Sequence, residues 1–133
     1  MNLPVTRSDI SNREDIETLV RCFYEQAISD PFIGKFFTQV AKLDLEAHLP
    51  KIVNFWEQML FQRPVYSGSP MHVHLMMNSK EPMLPEHFTR WLTLWEQTID
   101  QLFSGEKAAM AKARAQMVAK SFSLGIATVS QRA

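Results

Sequence analysis

Apolar residues recur at three- and four-residue steps in four stretches of the chain, a spacing that predicts amphipathic helices. In the first stretch, Ser11 and Glu14 form a capping box that predicts the start of a helix. The pair Asp30-Pro31 predicts its end, because the residue before a proline is pushed out of the helical region. Gly34 and the pair Phe36-Phe37 then indicate a short turn or a single helical turn. The inward positions of this helix are Ile16, Leu19, Val20, Phe23, Tyr24, Ala27 and Ile28.

Three further helices follow from the same spacing. The second is predicted from Asp44, and Pro50 should kink or restart it because a proline cannot donate to the helical hydrogen-bond ladder. The third is predicted to begin with Pro85 as its first residue and to run until Gly105. The fourth is long and rich in alanine and other strong helix formers.

The chain is therefore predicted to be a single all-α domain over residues 1–133, with flexible ends at about residues 1–10 and 128–133. No stretch alternates like a strand and no internal repeat is present. A chain of 133 residues, 46% of them apolar, is long enough to fold around a core of its own.

Charge and cysteine content exclude several classes of protein. Fourteen basic residues balance fourteen acidic ones, so no overall field favours nucleic acid or anionic lipid as a partner. The single Cys22 permits no internal disulfide, and covalent c-type haem would need a C-x-x-C-H motif that is missing. No signal peptide or apolar stretch long enough to span a membrane is found. We therefore expect a soluble, cytoplasmic protein.

Two inward positions carry polar rings. Tyr24 on the first helix and His48 on the second continue apolar stripes, and burying a phenol and an imidazole is costly unless each finds a partner. Their coincidence suggests a shared polar position, although each taken alone fits an ordinary core residue. Trp91, on the inward face of the third helix, adds an indole N–H donor. Core packing explains Trp91 equally well.

The other two regions with histidine are harder to interpret. Residues 71–77 (MHVHLMM) are too few to decide between a helix and an extended chain, so their conformation stays open. His72 or His74 could bind iron or zinc through a neutral ring nitrogen, and solvent exposure is the alternative. His87 lies in the first turn of the third helix and is predicted to be a surface residue. The common phosphate-binding, zinc-protease and nucleophile-elbow motifs are all missing.

Several blocks of the chain resemble the group III truncated haemoglobins, over about residues 16–122. The paired-glycine motifs of the other truncated groups are missing, as is expected for group III. The matching blocks are Phe23-Tyr24 followed by Asp30-Pro31, residues 48–56 (HLPKIVNFW), residues 66–70 (YSGSP) leading to His74, and residues 87–92 (HFTRWL).

The resemblance implies a shortened globin fold, a two-over-two helical sandwich around haem b that is bound without a covalent link. It makes His74 the proximal ligand of the haem iron, with His72 as the competing candidate. Phe37 would be the aromatic ring packed on the porphyrin. Tyr66 matches a tyrosine that can reach a haem propionate.

On the distal side, the resemblance matches Tyr24, His48 and Trp91 to the polar residues that face the ligand. Ile52, one helical turn beyond His48, would form an apolar wall. The implied function is binding of oxygen (O2), nitric oxide (NO) and carbon monoxide (CO) at ferrous iron by a monomer, tightly and with slow release. Such release suits chemistry more than transport, as a nitric oxide dioxygenase or a peroxidase-like protein served by a reductase that the sequence does not identify.

Two other classes stay open on the sequence alone. In one, the chain is a haem-free helical interaction module whose histidines only pack. In the other, His48, His72 and His74 bind zinc or non-haem iron.

Overall fold

The computed structural model describes residues 7–37, 45–63 and 84–132, and the side chains of this part up to residue 122 except that of residue 45. These residues contain no strand, so the prediction of an all-α chain is confirmed. The long helices are α1 Arg13–Ser29, α2 Leu45–Phe61, α3 Pro85–Leu102 and α4 Glu106–Arg132.

The start of α1 differs from the predicted capping box by one residue. Asn12 is the N-cap, and its side-chain oxygen accepts a hydrogen bond from the backbone N–H of Asp15 at 2.8 Å. Ser11 lies one residue outside, where its N–H and hydroxyl both donate to the Asp15 carboxylate. The capping box of Ser11 and Glu14 is therefore wrong, because the adjacent asparagine is an equally good cap and takes the position. The predicted end of α1 at Asp30 is confirmed.

The other helix bounds lie close to the predictions. Pro50 lies inside α2, and the helix continues through it to Phe61 without restarting. α3 begins at Pro85 as predicted and ends at Leu102, three residues before Gly105. α4 continues to Arg132, so residues 128–132, which were expected to form a flexible end, are helical.

The four helices form two packed pairs. α1 packs on α2, and α3 packs on α4. The pairs are joined by contacts of α1 with α3 and of α2 with α4. This is the two-over-two arrangement that the family resemblance implies, and its interior is filled by side chains such as Phe23, Trp56 and Trp95.

The start of the described chain is bound to the beginning of α4. The Asp9 carboxylate accepts hydrogen bonds from the backbone N–H groups of Lys107 and Ala108 at 2.8 and 2.9 Å. Gly105 has a φ of +144°, and a Cβ there would lie 2.5 Å from the Asp9 side chain. Ile10 is fully buried. The flexible end expected up to residue 10 therefore does not include Asp9 and Ile10: Asp9 is bound to the start of α4, and Ile10 lies in the core.

The segment after α1 folds back onto the helix that precedes it. Its backbone N–H at Gly34 donates to the carbonyl of Asp30 at 2.9 Å, and residues 34–37 complete a helical turn, as predicted. A Cβ at Gly34 would lie 2.5 Å from the backbone oxygen of Ile28, so a glycine permits this close approach. The fold-back places the ring of Phe37 beside α1.

Asp30 binds this segment to α3. One carboxylate oxygen accepts the backbone N–H groups of Phe32 and Ile33, both at 3.0 Å. The other carboxylate oxygen accepts hydrogen bonds from Nε and Nη2 of Arg90 at 2.9 and 2.8 Å. Only 3% of the Asp30 side chain is exposed. Burial alone would raise the pKa of the Asp30 carboxyl, but the hydrogen bonds from Arg90, Ile33 and Phe32 outweigh burial and lower the pKa.

His87 is buried against the same segment, and the prediction that it lies on the surface is wrong. Only 8% of the residue is exposed. Its ring centroid lies 4.7 Å from that of Phe32 and 4.8 Å from that of Phe36. Its Nδ1 accepts the backbone N–H of Leu84 at 2.8 Å, which caps the start of α3. The spacing within α3 could not show this burial, because the covering rings come from the segment after α1.

Replacement of Asp9 by alanine should destabilise the protein by about 1–2 kcal/mol, because the first turn of α4 loses its charged acceptor. Urea unfolding of the variant and its parent, loaded with haem to the same extent, measures the difference. Glu25→Ala, on the exposed face of α1, serves as the control and should change the stability by less than about 0.5 kcal/mol. Equal unfolding midpoints for Asp9→Ala and the parent would contradict the capping role.

Replacement of Arg90 by methionine should cost about 1–3 kcal/mol at neutral pH, because the buried Asp30 carboxylate loses its guanidinium partner. Since the pKa of Asp30 is lowered in the folded state, its contribution is present above the ordinary aspartate range and is lost as the pH falls through the folded value. The difference between parent and variant should therefore narrow in acid. Urea unfolding across the pH range tests this, with the exposed Arg114→Met as the control; a difference independent of pH would contradict the ion pair.

Candidate functional site

Tyr24 is the centre of a small aromatic cluster that three elements build. It lies on α1 with 7% of the residue exposed. Its ring meets that of Phe37, from the segment after α1, at 5.5 Å between centroids and nearly at right angles. It meets the imidazole of His48, from α2, at 5.9 Å and again nearly at right angles. The structure thus brings together the two polar rings that the sequence places on inward faces.

The Tyr24 hydroxyl is a hydrogen-bond donor with no acceptor within residues 7–37, 45–63 and 84–132. Burial raises the pKa of the Tyr24 phenol well above its ordinary value, so the proton stays on the oxygen at any physiological pH. Every fully buried side-chain nitrogen or oxygen in the same residues has a partner. The hydroxyl of Tyr24 is therefore a donor that the described residues leave without an acceptor.

Trp91 joins this cluster through Phe23, the residue before Tyr24. The ring of Phe23 lies 5.8 Å from that of Trp91 and 5.4 Å from that of Tyr24, edge to face in both cases. Trp91 is half-buried, and its indole N–H has no acceptor in the described part of the chain. Ile52 is also half-buried and packs against the core. The indole is thus a second donor for which the described residues provide no acceptor.

Three predicted site residues lie outside the described residues: Tyr66, His72 and His74. The proximal side of the site therefore stays a prediction. The structure adds Asp30, Arg90 and His87, which hold the segment that carries Phe37 and were not assigned to the site from the sequence. The only signal for them was that Asp30-Pro31 and residues 87–92 lie in the blocks of family resemblance.

The described residues lack two features that mark other classes of protein. They hold no group of three or more histidine, cysteine, aspartate or glutamate side chains that could bind a metal ion. They also contain no helix that is both long and apolar enough to cross a bilayer.

The donor set fits the distal side of a haem site. Haem needs an apolar and aromatic surface against its ring, and the ligand side needs a few donors placed for a small polar molecule. Phe37 and Ile52 are side chains of the first kind, and the hydroxyl of Tyr24 and the indole N–H of Trp91 are donors of the second kind. His48 contributes an imidazole beside Tyr24.

The chain is similar to known proteins in both sequence and structure. No family model matches it. The group 3 truncated haemoglobin ctb of Campylobacter jejuni is 32% identical over 114 residues, which cover 84% of this chain and 87% of that protein. The crystal structure of a group III truncated haemoglobin from Campylobacter jejuni matches with a TM-score of 0.80 and 31% identity, over 91% of this chain and 95% of the other. The predicted shortened globin fold is confirmed, and the chain belongs to the group III truncated haemoglobins.

Proposed function

We propose that this globin-type haem protein binds haem b without a covalent link, through His74 as the proximal ligand. In this proposal Phe37 packs on the porphyrin, Tyr66 reaches a propionate and Ile52 lines the ligand side. When bound, the haem would supply a ferrous iron able to bind O2, NO or CO. The residues of the chain decide how firmly such a molecule is held.

The unpaired Tyr24 hydroxyl carries this proposal. A protonated phenol that is buried among apolar rings and finds no acceptor in the described chain is suited to donate to a ligand. A hydrogen bond to a charged acceptor contributes on the order of 1.5–3 kcal/mol. Trp91 adds a second donor and His48 a third polar group, so we expect O2, which becomes partly negative on binding, to be held tightly and released slowly.

Slow release favours chemistry over transport. We infer that the protein consumes NO with O2 or activates peroxide, as a monomer in the cytoplasm, with a reductase that returns the iron to the ferrous state. Tyr24, His48 and Trp91 orient the small reactant and donate hydrogen bonds to it. The donors would serve either reaction.

His74→Ala should abolish haem retention, because the iron loses its axial imidazole, whereas His72→Ala should leave it unchanged. The visible spectrum after haem loading measures this through the intense Soret band and its shift with CO. His72 is the matched control because it lies two residues away in the same segment. A chain that stays colourless would favour the haem-free interaction module, and an undiminished Soret band in His74→Ala would overturn the assignment of the ligand.

Tyr24→Phe should raise the O2 dissociation rate roughly ten- to hundred-fold, which corresponds to the loss of one hydrogen bond of 1.5–3 kcal/mol. Stopped-flow displacement of O2 measures the rate. CO is only weakly polarised, so its dissociation rate in the same variant provides the control and should change much less. An unchanged O2 rate would show that Tyr24 does not face the ligand.

The assignment of an activity rests on a direct assay of NO consumption by the oxygenated protein. We expect consumption to be faster than with free haem, and Trp91→Phe to slow it if the indole orients the reactant. If the protein consumes NO no faster than free haem does, the assignment of NO consumption is wrong and only ligand binding is supported.

A further inference from the structure

The three tryptophans of the chain stack in a series through the core. The rings of Trp91 and Trp95, both on α3, are almost parallel, with 2° between their planes and 6.1 Å between centroids. The rings of Trp95 and Trp56, from α2, lie 4.6 Å apart at 22°. The other ring pairs of this core, such as Phe23 with Trp95, meet edge to face. Within the core of the described residues, the tryptophans are therefore the rings that lie nearly parallel to one another.

The three tryptophans differ in their exposure and in the hydrogen bonds of their indole N–H groups. Trp91 is half-buried beside Phe23, next to the Tyr24 cluster. Trp95 is only 1% exposed, and its indole N–H donates to the carbonyl of Ala111 at 3.2 Å. Trp56 is 3% exposed, and its indole N–H has no acceptor in the described part of the chain. Of these two buried indoles, a described carbonyl therefore holds only the N–H of Trp95.

These surroundings determine what an oxidised indole can do. Indole is among the most easily oxidised side chains, and the loss of one electron makes its N–H strongly acidic. The Trp95 proton is held toward a carbonyl oxygen, which is a poor base, so Trp95 can pass on an electron without losing its proton. The Trp56 proton is not held by a described carbonyl in this way, so the oxidised indole of Trp56 is the one expected to release it. An electron hole that enters at Trp91 is therefore expected to end at Trp56.

We propose that Trp91, Trp95 and Trp56 form a relay that carries single electrons from Trp56, on α2, to the haem site during peroxide reduction. The relay rests on the proposed function, because Trp91 connects it to peroxide chemistry only if haem lies beside that residue. Reduction of hydrogen peroxide breaks its O–O bond and consumes two electrons and two protons to give two waters.

Each electron that Trp91 loses is replaced in steps along the series. Trp91 gives up one electron and recovers it from Trp95, which recovers it from Trp56. The indole of Trp56 releases its proton to water. An external one-electron donor, such as a phenol or ascorbate, then returns one electron and one proton to it. Two such one-electron transfers complete the reduction of one molecule of hydrogen peroxide.

The test is freeze-quench electron paramagnetic resonance on the haem-loaded ferric protein mixed with one equivalent of hydrogen peroxide. We expect the signal of a neutral indolyl radical, which changes its splitting when the protein is made with ring-deuterated tryptophan. Trp56→Phe should abolish this neutral radical, and Trp95→Phe should abolish it by interrupting the series. Phe55→Leu, which alters an edge contact of Trp56 and removes no indole, should keep it.

The outcomes separate the relay from the proposed function. A chain that takes up no haem overturns both. Normal Soret and CO spectra without an indolyl radical overturn the relay alone, as does a radical that is lost in Tyr24→Phe and kept in Trp56→Phe. If Trp95→Phe fails to hold haem, Trp56→Phe and the deuterated parent protein still decide between these results.

Discussion

A carboxylate with almost no access to water must be satisfied by the protein itself, and Asp30 meets this constraint by binding three parts of the chain. It ends α1, accepts the first backbone N–H groups of the following segment and pairs with Arg90 on α3. The segment then covers His87 with two aromatic rings and brings Phe37 against Tyr24. The distal cluster depends on this arrangement, because Phe37 comes from a segment with little regular structure of its own.

The helices could be predicted because the signals that form them are local. Spacing, prolines and caps act within a few residues, so α1 and α3 end and begin where expected, and the error between Ser11 and Asn12 is a choice between neighbouring caps. The burial of His87 and the anchoring of Asp9 could not be predicted in this way. Their partners are far away in the sequence, and no periodicity within a helix reports on them.

In the candidate site, too, local spacing predicted some features, and contacts between distant residues could not be predicted. Tyr24 and His48 were placed on inward faces from spacing, and the structure brings their rings together. Their roles, and those of Trp91 and Phe37, came from the resemblance, since spacing alone allows ordinary core residues. The pairing of Asp30 with Arg90 joins positions 60 residues apart and has no signature in the sequence. A buried carboxylate at the end of a helix does indicate that some cation must be near it.

The hydrogen bonds between the Asp9 carboxylate and the start of α4 affect the order in which the chain folds. The bond to Lys107 joins positions 98 residues apart, and closing so long a loop costs entropy that the hydrogen bonds alone do not recover. The contact therefore forms once the intervening helices have already packed. On the ribosome, α1 and α2 emerge and can pair long before the backbone groups that Asp9 binds have been synthesised. The first described residues of the chain are thus among the last to reach their final positions.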